Sequence, residues 1–265
     1  MMHIKSIRCY GKQPYKVALI HGGPGAPGTM ASLAHLLAPH MGVLEPLQGA
    51  DSIASQIEEL RDSLFSRINE PITLVGHSWG AWLSMLFTAQ HPHMVSNLIL
   101  VGSGPFESHY ASSIMPTRMA RLTPDEKSRC DRLIQLLTSG KGDPSVLSKF
   151  GALMSKADTY APLNDLQNDN EPLSFQSDVY ERVWSEASKL RSDNTLLEVA
   201  KTITCPVIAI HGDHDPHPYL GVKEPLGATV SNFEFILLKK CGHTPWMEAY
   251  ARDLFINILL SNVNI

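Results

Sequence analysis

One five-residue segment, Gly76-His77-Ser78-Trp79-Gly80, constrains the fold of this chain more than any other. It stands between a short apolar, β-branched run at residues 72–75 and an apolar run typical of a helix at residues 81–87. This context predicts a tight strand-to-helix turn that exposes Ser78 above a sheet, with the flanking glycines leaving room for neighbouring backbone. The N–H groups and dipole at the start of the helix would favour negative charge beside Ser78. The turn therefore predicts a nucleophile, and the alternative is a serine that only caps the helix.

A carboxylic acid follows a later strand-like run. Residues 207–210 are apolar and are followed by His211-Gly212-Asp213-His214-Asp215-Pro216-His217. Ligands bind beyond the carboxyl ends of strands in open α/β sheets, so an acid here would lie at the same edge as the serine. We expect Asp215 to be the functional acid, because Pro216 favours an extended backbone before it. Asp213 follows a glycine and suits a turn.

A histidine follows the last strand-like run. Residues 233–238 are apolar, and His243 comes shortly after them. A serine hydroxyl needs a base to remove its proton, and the base needs a third group to orient it, so the order Ser78, Asp215, His243 predicts a catalytic triad. Directly after the histidine, Thr244 as N-cap and Pro245 at the first position predict a helix. Its predicted apolar stripe consists of Trp246, Tyr250, Leu254 and Ile258.

A glycine-rich loop, His21-Gly22-Gly23-Pro24-Gly25, follows the apolar run 17–20. Acyl transfer requires N–H donors for the oxyanion of its tetrahedral intermediate. We predict that the amides of Gly23 and Trp79 are those donors. The alternative is an ordinary Gly/Pro turn. Neither a Walker lysine nor the dinucleotide glycine spacing is present, which excludes those phosphate-binding motifs.

These motifs in this order resemble the α/β-hydrolase superfamily, and the pairing of His-Gly-Gly-Pro-Gly with Gly-x-Ser-Trp-Gly is similar to proline iminopeptidases. The resemblance spans nearly the whole chain in the order of its elements, although its specific motifs lie in four short stretches. It implies Ser78 as nucleophile, Asp215 as acid, His243 as base, Gly23 and Trp79 as oxyanion donors, and a cis bond before Pro24.

The chain departs from the iminopeptidase pattern at three places. His77 stands where those enzymes usually carry glycine, and Ala26 stands where their first loop usually ends in another glycine. Residues 45–52 lack their Asp-x-Arg-Gly-x-Gly-x-Ser segment. By the resemblance, peptides with a free amino terminus come first as substrates, which would make the protein an aminopeptidase. Small carboxylic esters come second, and hydrolysis of a carbon–carbon bond is a further alternative.

The order of elements predicts a mostly parallel sheet flanked by helices, an α/β-hydrolase fold with an inserted helical cap. Strands are predicted at residues 17–20, 43–44, 72–75 and 98–101, before the two already described. Between about residues 104 and 200 helix signals dominate, including Thr123-Pro124-Asp125-Glu126, from which a helix is predicted to run to Gly140, and Asp143-Pro144. We predict a core of residues 1–103 and 201–265 and a cap of residues 104–200. The alternative is a separate helical domain with another role.

Composition limits the classes of partner. Hydrophobic residues make up 43% and charged residues 18% of the 265 residues, and the net charge of −4 gives no reason to expect nucleic acid or an anionic membrane. No apolar run approaches the ~18 residues that a membrane span requires, and the amino terminus lacks the apolar core of a signal peptide. The four cysteines have no Cys-x-x-Cys spacing, which favours reduced thiols and a cytoplasmic location.

The leading interpretation is a serine hydrolase that needs no metal or other cofactor and acts on a small-molecule or short-peptide substrate. Residues 211–217 contain histidines and carboxylates that could ligate zinc or iron, but no second half of a metal motif accompanies them. An aminopeptidase would need carboxylates from the cap to hold an α-ammonium group, and the candidates are Glu107, Glu171, Glu181 and Glu186. The alternative from another class is a non-catalytic ligand receptor on this fold.

Overall fold

A single sheet lies at the centre of the molecule. The computed structural model describes residues 7–139, 143–163 and 175–263. Within these ranges seven strands pair in the order β1-β3-β2-β4-β5-β6-β7. Strands β2 to β7 are parallel, and β1 is antiparallel to β3. The strands are β1 (Ile7–Tyr10), β2 (Tyr15–Ile20), β3 (Gly42–Pro46), β4 (Ile72–His77), β5 (Val95–Val101), β6 (Val207–Gly212) and β7 (Phe233–Leu238). The predicted mostly parallel sheet is confirmed, and each predicted strand lies within an observed one.

Helices cover both faces of the sheet. Those of the described ranges are α1 (Ala31–Leu37), α2 (Ile53–Phe65), α3 (Trp79–Gln90), α4 (Ser108–Ala111), α5 (Ile114–Arg121), α6 (Pro124–Thr138), α7 (Pro144–Asp158), α8 (Ser177–Ser192), α9 (Thr195–Ala200), α10 (Leu220–Thr229) and α11 (Arg252–Asn262). None of them combines the length and the apolar character that crossing a membrane requires.

The alternation of side chains along the strands builds two apolar layers. In β2, Ala18 and Ile20 pack against α2, α3, α8 and α10 on one face. Val17 and Leu19 point to the other face, where they join residues of α1 and α11. The short β2 is therefore buried on both faces, as expected for a central parallel strand.

The helices between β5 and β6 pack in two different ways. Helices α6 and α7 share a small apolar cluster with residues that flank them, and α5 packs against it. Helices α8 and α9 contribute Val183 and Leu196 to the main core beside the sheet. The α6 start is capped as predicted, because Thr123 and Glu126 form a reciprocal capping box. The predicted end at Gly140 lies outside the described residues. The division into a core and a cap at residues 104–200 stays a prediction.

The predicted helix directly after His243 is wrong. Residues Pro245–Met247 form a 3₁₀ turn without a side-chain cap from Thr244, and α11 begins only at Arg252. Trp246 is buried, but Tyr250 and Leu254 are exposed. The apolar positions of α11 and its flanks are instead Ala251, Phe255, Leu259 and Val263. The predicted apolar stripe is wrong because it assumes helical spacing from Trp246 onward, and the 3₁₀ turn and the residues after it interrupt that spacing.

Candidate active site

Ser78 occupies a strained turn between β4 and α3. Its φ of 55° and ψ of −115° are unusual for a residue with a side chain, and such strain is typical of functional sites. The turn is so tight that a Cβ on Gly76 would overlap the carbonyl oxygen of Gly80, and a Cβ on Gly80 would overlap that of Ile20. The backbone N–H of Ser78 donates to the carbonyl of Val101 at 2.9 Å, which ties the turn to β5.

Asp215 and His243 form a hydrogen-bonded pair at the same edge of the sheet. His243 Nδ1 lies 2.7 Å from Asp215 Oδ2. The aspartate side chain is fully buried, and the histidine side chain is 13% exposed. Since the carboxylate holds Nδ1, the other ring nitrogen, Nε2, is the one free to exchange a proton with a serine. Asp213 instead accepts from the backbone N–H of Cys241 at 3.3 Å, which fits the predicted turn role.

His77 joins the serine turn to the acid–base pair. Its ring centroid lies 4.7 Å from that of His243, and its Nε2 lies 3.0 Å from the His243 carbonyl oxygen, to which it donates. The carboxyl ends of β4, β6 and β7 thus bring Ser78, Asp215 and His243 to one edge. In the described part of the chain Ser78 Oγ and His243 do not form a hydrogen bond, a contact that in hydrolases often tightens only around substrate.

Burial and charge set the protonation states at this edge. Burial alone would raise the pKa of Asp215, but its interactions with the imidazoles of His243, His217 and His211 hold it well below its usual value. Burial would lower the pKa of His243, but the charge of Asp215 and its hydrogen bond raise it above its ordinary value. Burial and the nearby charge of His243 lower the pKa of His77 to about 3. The carboxylate is therefore ionised, His77 is neutral, and His243 is the imidazole best placed to take a proton.

The predicted oxyanion donors lie at the start of α3 and in the loop after β2. Gly23 has a positive φ of 54°, and Trp79 is the first residue of α3. Neither backbone N–H donates to another group within the residues that the structure describes, so both amides are available. The Trp79 side chain is buried, and its Nε1 donates to Gln56 at 3.2 Å.

The loop after β2 is also held by helix α8. The Gln176 backbone N–H donates to the carbonyl of Gly25 at 2.8 Å. Among the described residues the cis peptide bond precedes Pro14, so the cis bond implied before Pro24 is wrong.

Sequence reasoning missed Gly102 and the roles of two histidines. A Cβ on Gly102 would lie 2.9 Å from the His243 carbonyl oxygen and 3.3 Å from Asp215 Oδ2, so only glycine lets β5 end against the acid–base pair. His217 Nδ1 lies 2.8 Å from Asp215 Oδ1, and His211 Nε2 lies 3.3 Å from Oδ2. A glycine at a strand end was a usable signal for Gly102, but the spacing of residues 211–217 did not show which histidines meet Asp215.

The same residues are the candidates for a metal site. Ligand atoms of Asp215, His217 and His243 lie within 4.8 Å of one another. However, the two ring nitrogens lie 2.7 Å and 2.8 Å from the carboxylate oxygens. Ligands about 2.1 Å from a tetrahedral zinc ion would be separated by about 3.4 Å. The spacing therefore fits hydrogen bonds, and a metal would have to separate these groups.

Two curated relatives are distant. A monoacylglycerol lipase, abhd6-B, from Xenopus laevis is 24% identical over 203 residues, which are 74% of this chain and 57% of the relative. This chain thus spans little more than half of that relative's length. A pimeloyl-[acyl-carrier protein] methyl ester esterase from Aromatoleum aromaticum is 22% identical over 88% of this chain and 92% of the relative.

Solved structures share the fold over almost the whole chain. The structure of VinJ matches with a TM-score of 0.68 and 17% identity, covering 97% of this chain and 95% of VinJ. A proline iminopeptidase from Mycobacterium smegmatis matches with a TM-score of 0.62 and 15% identity, covering 97% of this chain and 93% of the iminopeptidase. At these identities the likeness establishes the fold alone, and it does not single out proline iminopeptidases.

The family model for the Alpha/beta hydrolase family matches residues 17–256. This match covers nearly the whole chain, including the loop after β2, the serine turn, Asp215 and His243. The protein therefore belongs to the α/β hydrolase family and is an enzyme of the hydrolase class.

Proposed function

We propose that this enzyme is a serine esterase that cleaves small carboxylic esters through an acyl-enzyme. The observation that carries the proposal is the buried Asp215–His243 pair at the same sheet edge as Ser78 in its strained turn. An ionised carboxylate bound to Nδ1 of a histidine whose Nε2 is free is the arrangement that a serine nucleophile needs from its base.

The proposed reaction has two halves. His243 Nε2 removes the Ser78 hydroxyl proton as Oγ attacks the ester carbonyl carbon, while Asp215 holds Nδ1–H and stabilises the imidazolium that forms. The Gly23 and Trp79 amides donate to the oxyanion of the tetrahedral intermediate. His243 then gives its proton to the departing alcohol. In the second half, His243 takes a proton from water as the water oxygen attacks the acyl carbon. The bond from the acyl carbon to Ser78 Oγ then breaks, His243 returns the proton to Oγ, and the carboxylic acid leaves.

Two further carboxylates in the part of the molecule around His243, those of Asp158 and Glu248, are already occupied. The Arg118 guanidinium binds Asp158 through two hydrogen bonds of 2.7 Å and 2.6 Å. Glu248, which is 1% exposed, accepts from three backbone N–H groups, those of Tyr160, Ala161 and Gly242. An aminopeptidase must hold the α-ammonium of its substrate with an available carboxylate. Neither of these two carboxylates is available without breaking a buried interaction.

Of the cap glutamates predicted from the sequence, one is engaged by a backbone N–H, and no contact within the described residues places another beside His243. Glu186 accepts from the Ile53 backbone N–H at 2.9 Å and so serves the start of α2. Glu181 is exposed on α8, and Glu107 precedes the short α4 without capping it. Glu171 lies outside the described residues. These contacts favour a neutral acyl substrate over a peptide with a free amino terminus, and the curated relatives, a methyl ester esterase and a monoacylglycerol lipase, favour an ester by name.

We also propose that α4 to α7 form a lid over the substrate. The end of α7 contacts the base directly, because the His243 backbone N–H donates to the Asp158 carbonyl at 2.9 Å. Through Asp158, Arg118 connects α5 to the same point. A lid in this position would exclude water from the acyl-enzyme and limit the size of the acyl group.

The test combines covalent labelling with substrate comparison. A fluorophosphonate should label Ser78, and Ser78→Ala should lose both labelling and ester hydrolysis. Ser103→Ala is the matched control, because Ser103 is a buried serine near the end of β5, and it should keep both. A short acyl ester should be hydrolysed faster than a prolyl arylamide with a free amine. The esterase assignment would be overturned if the enzyme preferred the free-amine substrate to its N-blocked analogue and to the ester. The serine mechanism would be overturned if the wild-type protein took up no fluorophosphonate and hydrolysed no substrate.

A further inference from the structure

Asp215 holds two imidazoles at once. Its Oδ2 accepts from His243 Nδ1 at 2.7 Å, and its Oδ1 accepts from His217 Nδ1 at 2.8 Å. The backbone N–H of His217 also donates to Oδ1, at 2.9 Å. A triad needs the first of these contacts alone, so His217 is bound to the acid without a part in the mechanism described above.

The two imidazoles are also stacked on each other. The ring centroids of His217 and His243 are 4.6 Å apart, and the ring planes differ by 27°. Since both rings bind the same carboxylate through Nδ1, both Nε2 atoms point away from Asp215. The two side chains keep similar exposed fractions, 12% for His217 and 13% for His243. The His217 ring thus packs against the ring of His243. The His77 ring also contacts His243, with a centroid distance of 4.7 Å.

We propose that His217 is a positioning residue that acts through Asp215 and through its stack on His243. The hydrogen bond to Oδ1 draws on the negative charge of the carboxylate and so limits how strongly Asp215 raises the basicity of His243. The stack fixes the plane of the His243 ring, and with it the direction of Nε2 toward Ser78. This inference deepens the proposed function and rests on it for its kinetic consequences, but not for its effect on the imidazoles.

The pKa values of the two histidines shift in opposite directions, as expected if His243 is the base and His217 is a donor to Asp215. Burial lowers the pKa of His217 in spite of the charge of Asp215, whereas the pKa of His243 is raised. His217 therefore stays a neutral donor while His243 cycles between its two forms. The other titratable or charged groups that face this cluster are His77 at the end of β4, His211 in β6, Arg118 and Arg121 in α5, and Asp158 at the end of α7.

Two substitutions separate the hydrogen bond from the stack. His217→Phe keeps an aromatic ring against His243 but removes the donor to Asp215. His217→Asn keeps an N–H donor at the place of Nδ1 but removes the ring. His214→Asn is the matched control, since His214 lies in the same loop and packs against Tyr160 rather than against the base. Thermal unfolding confirms that each variant is folded at the assay temperature.

The direct measurement is the titration of the His243 ring by NMR, which needs no substrate. His217→Phe should raise the His243 pKa by about one unit, because the carboxylate loses its side-chain hydrogen bond at Oδ1 and its charge then acts more strongly on His243. The rising limb of kcat/KM against pH should move upward by the same amount. His217→Asn should leave the pKa within a few tenths of wild type but lower kcat about tenfold at unchanged KM, because Nε2 is less well directed. His214→Asn should match wild type in both.

An unchanged His243 pKa in His217→Phe, or equal shifts in the Phe and Asn variants, would overturn the inference. If His217→Phe does not fold, the titration of the wild-type protein tests the inference. His217 must then remain neutral through the pH range in which His243 titrates. Protonation of His217 at a higher pH than His243 would overturn the inference. Fluorophosphonate labelling of Ser78 is run beside these titrations. Labelling with no pKa shift refutes the role of His217 alone, whereas absence of labelling with the predicted shift refutes the serine mechanism and leaves the coupling of the imidazoles supported.

Discussion

Asp215→Asn should inactivate the enzyme by a route that the hydrogen bonds around the carboxylate dictate. Oδ1 accepts from the backbone N–H of His217, a donor that cannot change its protonation or its tautomer. The amide oxygen of the asparagine must therefore take the place of Oδ1, and its NH₂ group must take the place of Oδ2. That NH₂ group then faces Nδ1 of His243, 2.7 Å away in the native site.

The consequence for the base is a change of tautomer. His243 can meet an N–H donor only by presenting an unprotonated Nδ1, which places its proton on Nε2. A protonated Nε2 cannot accept the proton of Ser78. The equivalent substitution in a serine protease triad lowers kcat by about 10⁴. We expect a similar loss here, which corresponds to a rise of about 5 kcal/mol in the activation free energy.

The assay is hydrolysis of a short acyl ester by purified variants, well below the unfolding temperature of each. Asp213→Asn is the matched control, since Asp213 lies two residues away and accepts from the Cys241 backbone N–H instead of from the base. It should keep activity within a few fold of wild type. An Asp215→Asn enzyme within tenfold of wild type, or a larger loss in Asp213→Asn, would refute the reasoning.

Three further outcomes can be measured. Because the pKa of His243 is raised above its ordinary value of 6.5, and the reaction needs its neutral form, kcat/KM should rise with pH and reach half its maximum above pH 6.5; a midpoint below 6.5 would contradict this. Gly76→Ala, whose Cβ would overlap the Gly80 backbone, should lower the free energy of unfolding by about 3 kcal/mol or more, whereas Gly151→Ala in α7, with open space around it, should raise it by about 0.5–1 kcal/mol. Arg118→Met should lower the free energy of unfolding by about 3 kcal/mol by leaving a buried charge uncompensated, and adding Asp158→Asn should restore more than half of that loss, both by denaturant titration.

The positions of Ser78, Asp215 and His243 could be predicted because the sequence signals for them are local. Each follows an apolar run, and parallel strands place whatever follows them at a common edge. The packing among the histidines could not be predicted in this way. His77 and His243 are 166 residues apart in the chain, and their contact depends on the register of β4 against the strands that follow. His217 was visible in the sequence, but its ring could have turned toward a metal, the solvent or the acid.

The errors after His243 have a related cause. The sequence there contains good helix-start residues, but Glu248 uses its carboxylate to hold the backbone of Gly242 and the residues after α7. The Glu248 backbone is itself extended and pairs with Pro162, and the Ala249 N–H donates to the Ala161 carbonyl, so the chain does not continue the 3₁₀ turn as a helix here. Helix propensity is a weak prior when a buried carboxylate needs backbone donors.

The three groups of the proposed triad are held by different parts of the molecule. Ser78 and Asp215 lie directly beyond β4 and β6, so the sheet fixes them. His243 lies five residues beyond β7. Its backbone N–H donates to the Asp158 carbonyl at the end of α7, at 2.9 Å, and its carbonyl accepts from His77 Nε2 at the end of β4, at 3.0 Å. A displacement of α7 would therefore remove one of the contacts that hold the His243 backbone. A lid that opens for substrate would weaken the alignment of His243 with Ser78, and a lid that closes over a fitting acyl group would restore it, which links the selection of substrate to the geometry of proton transfer.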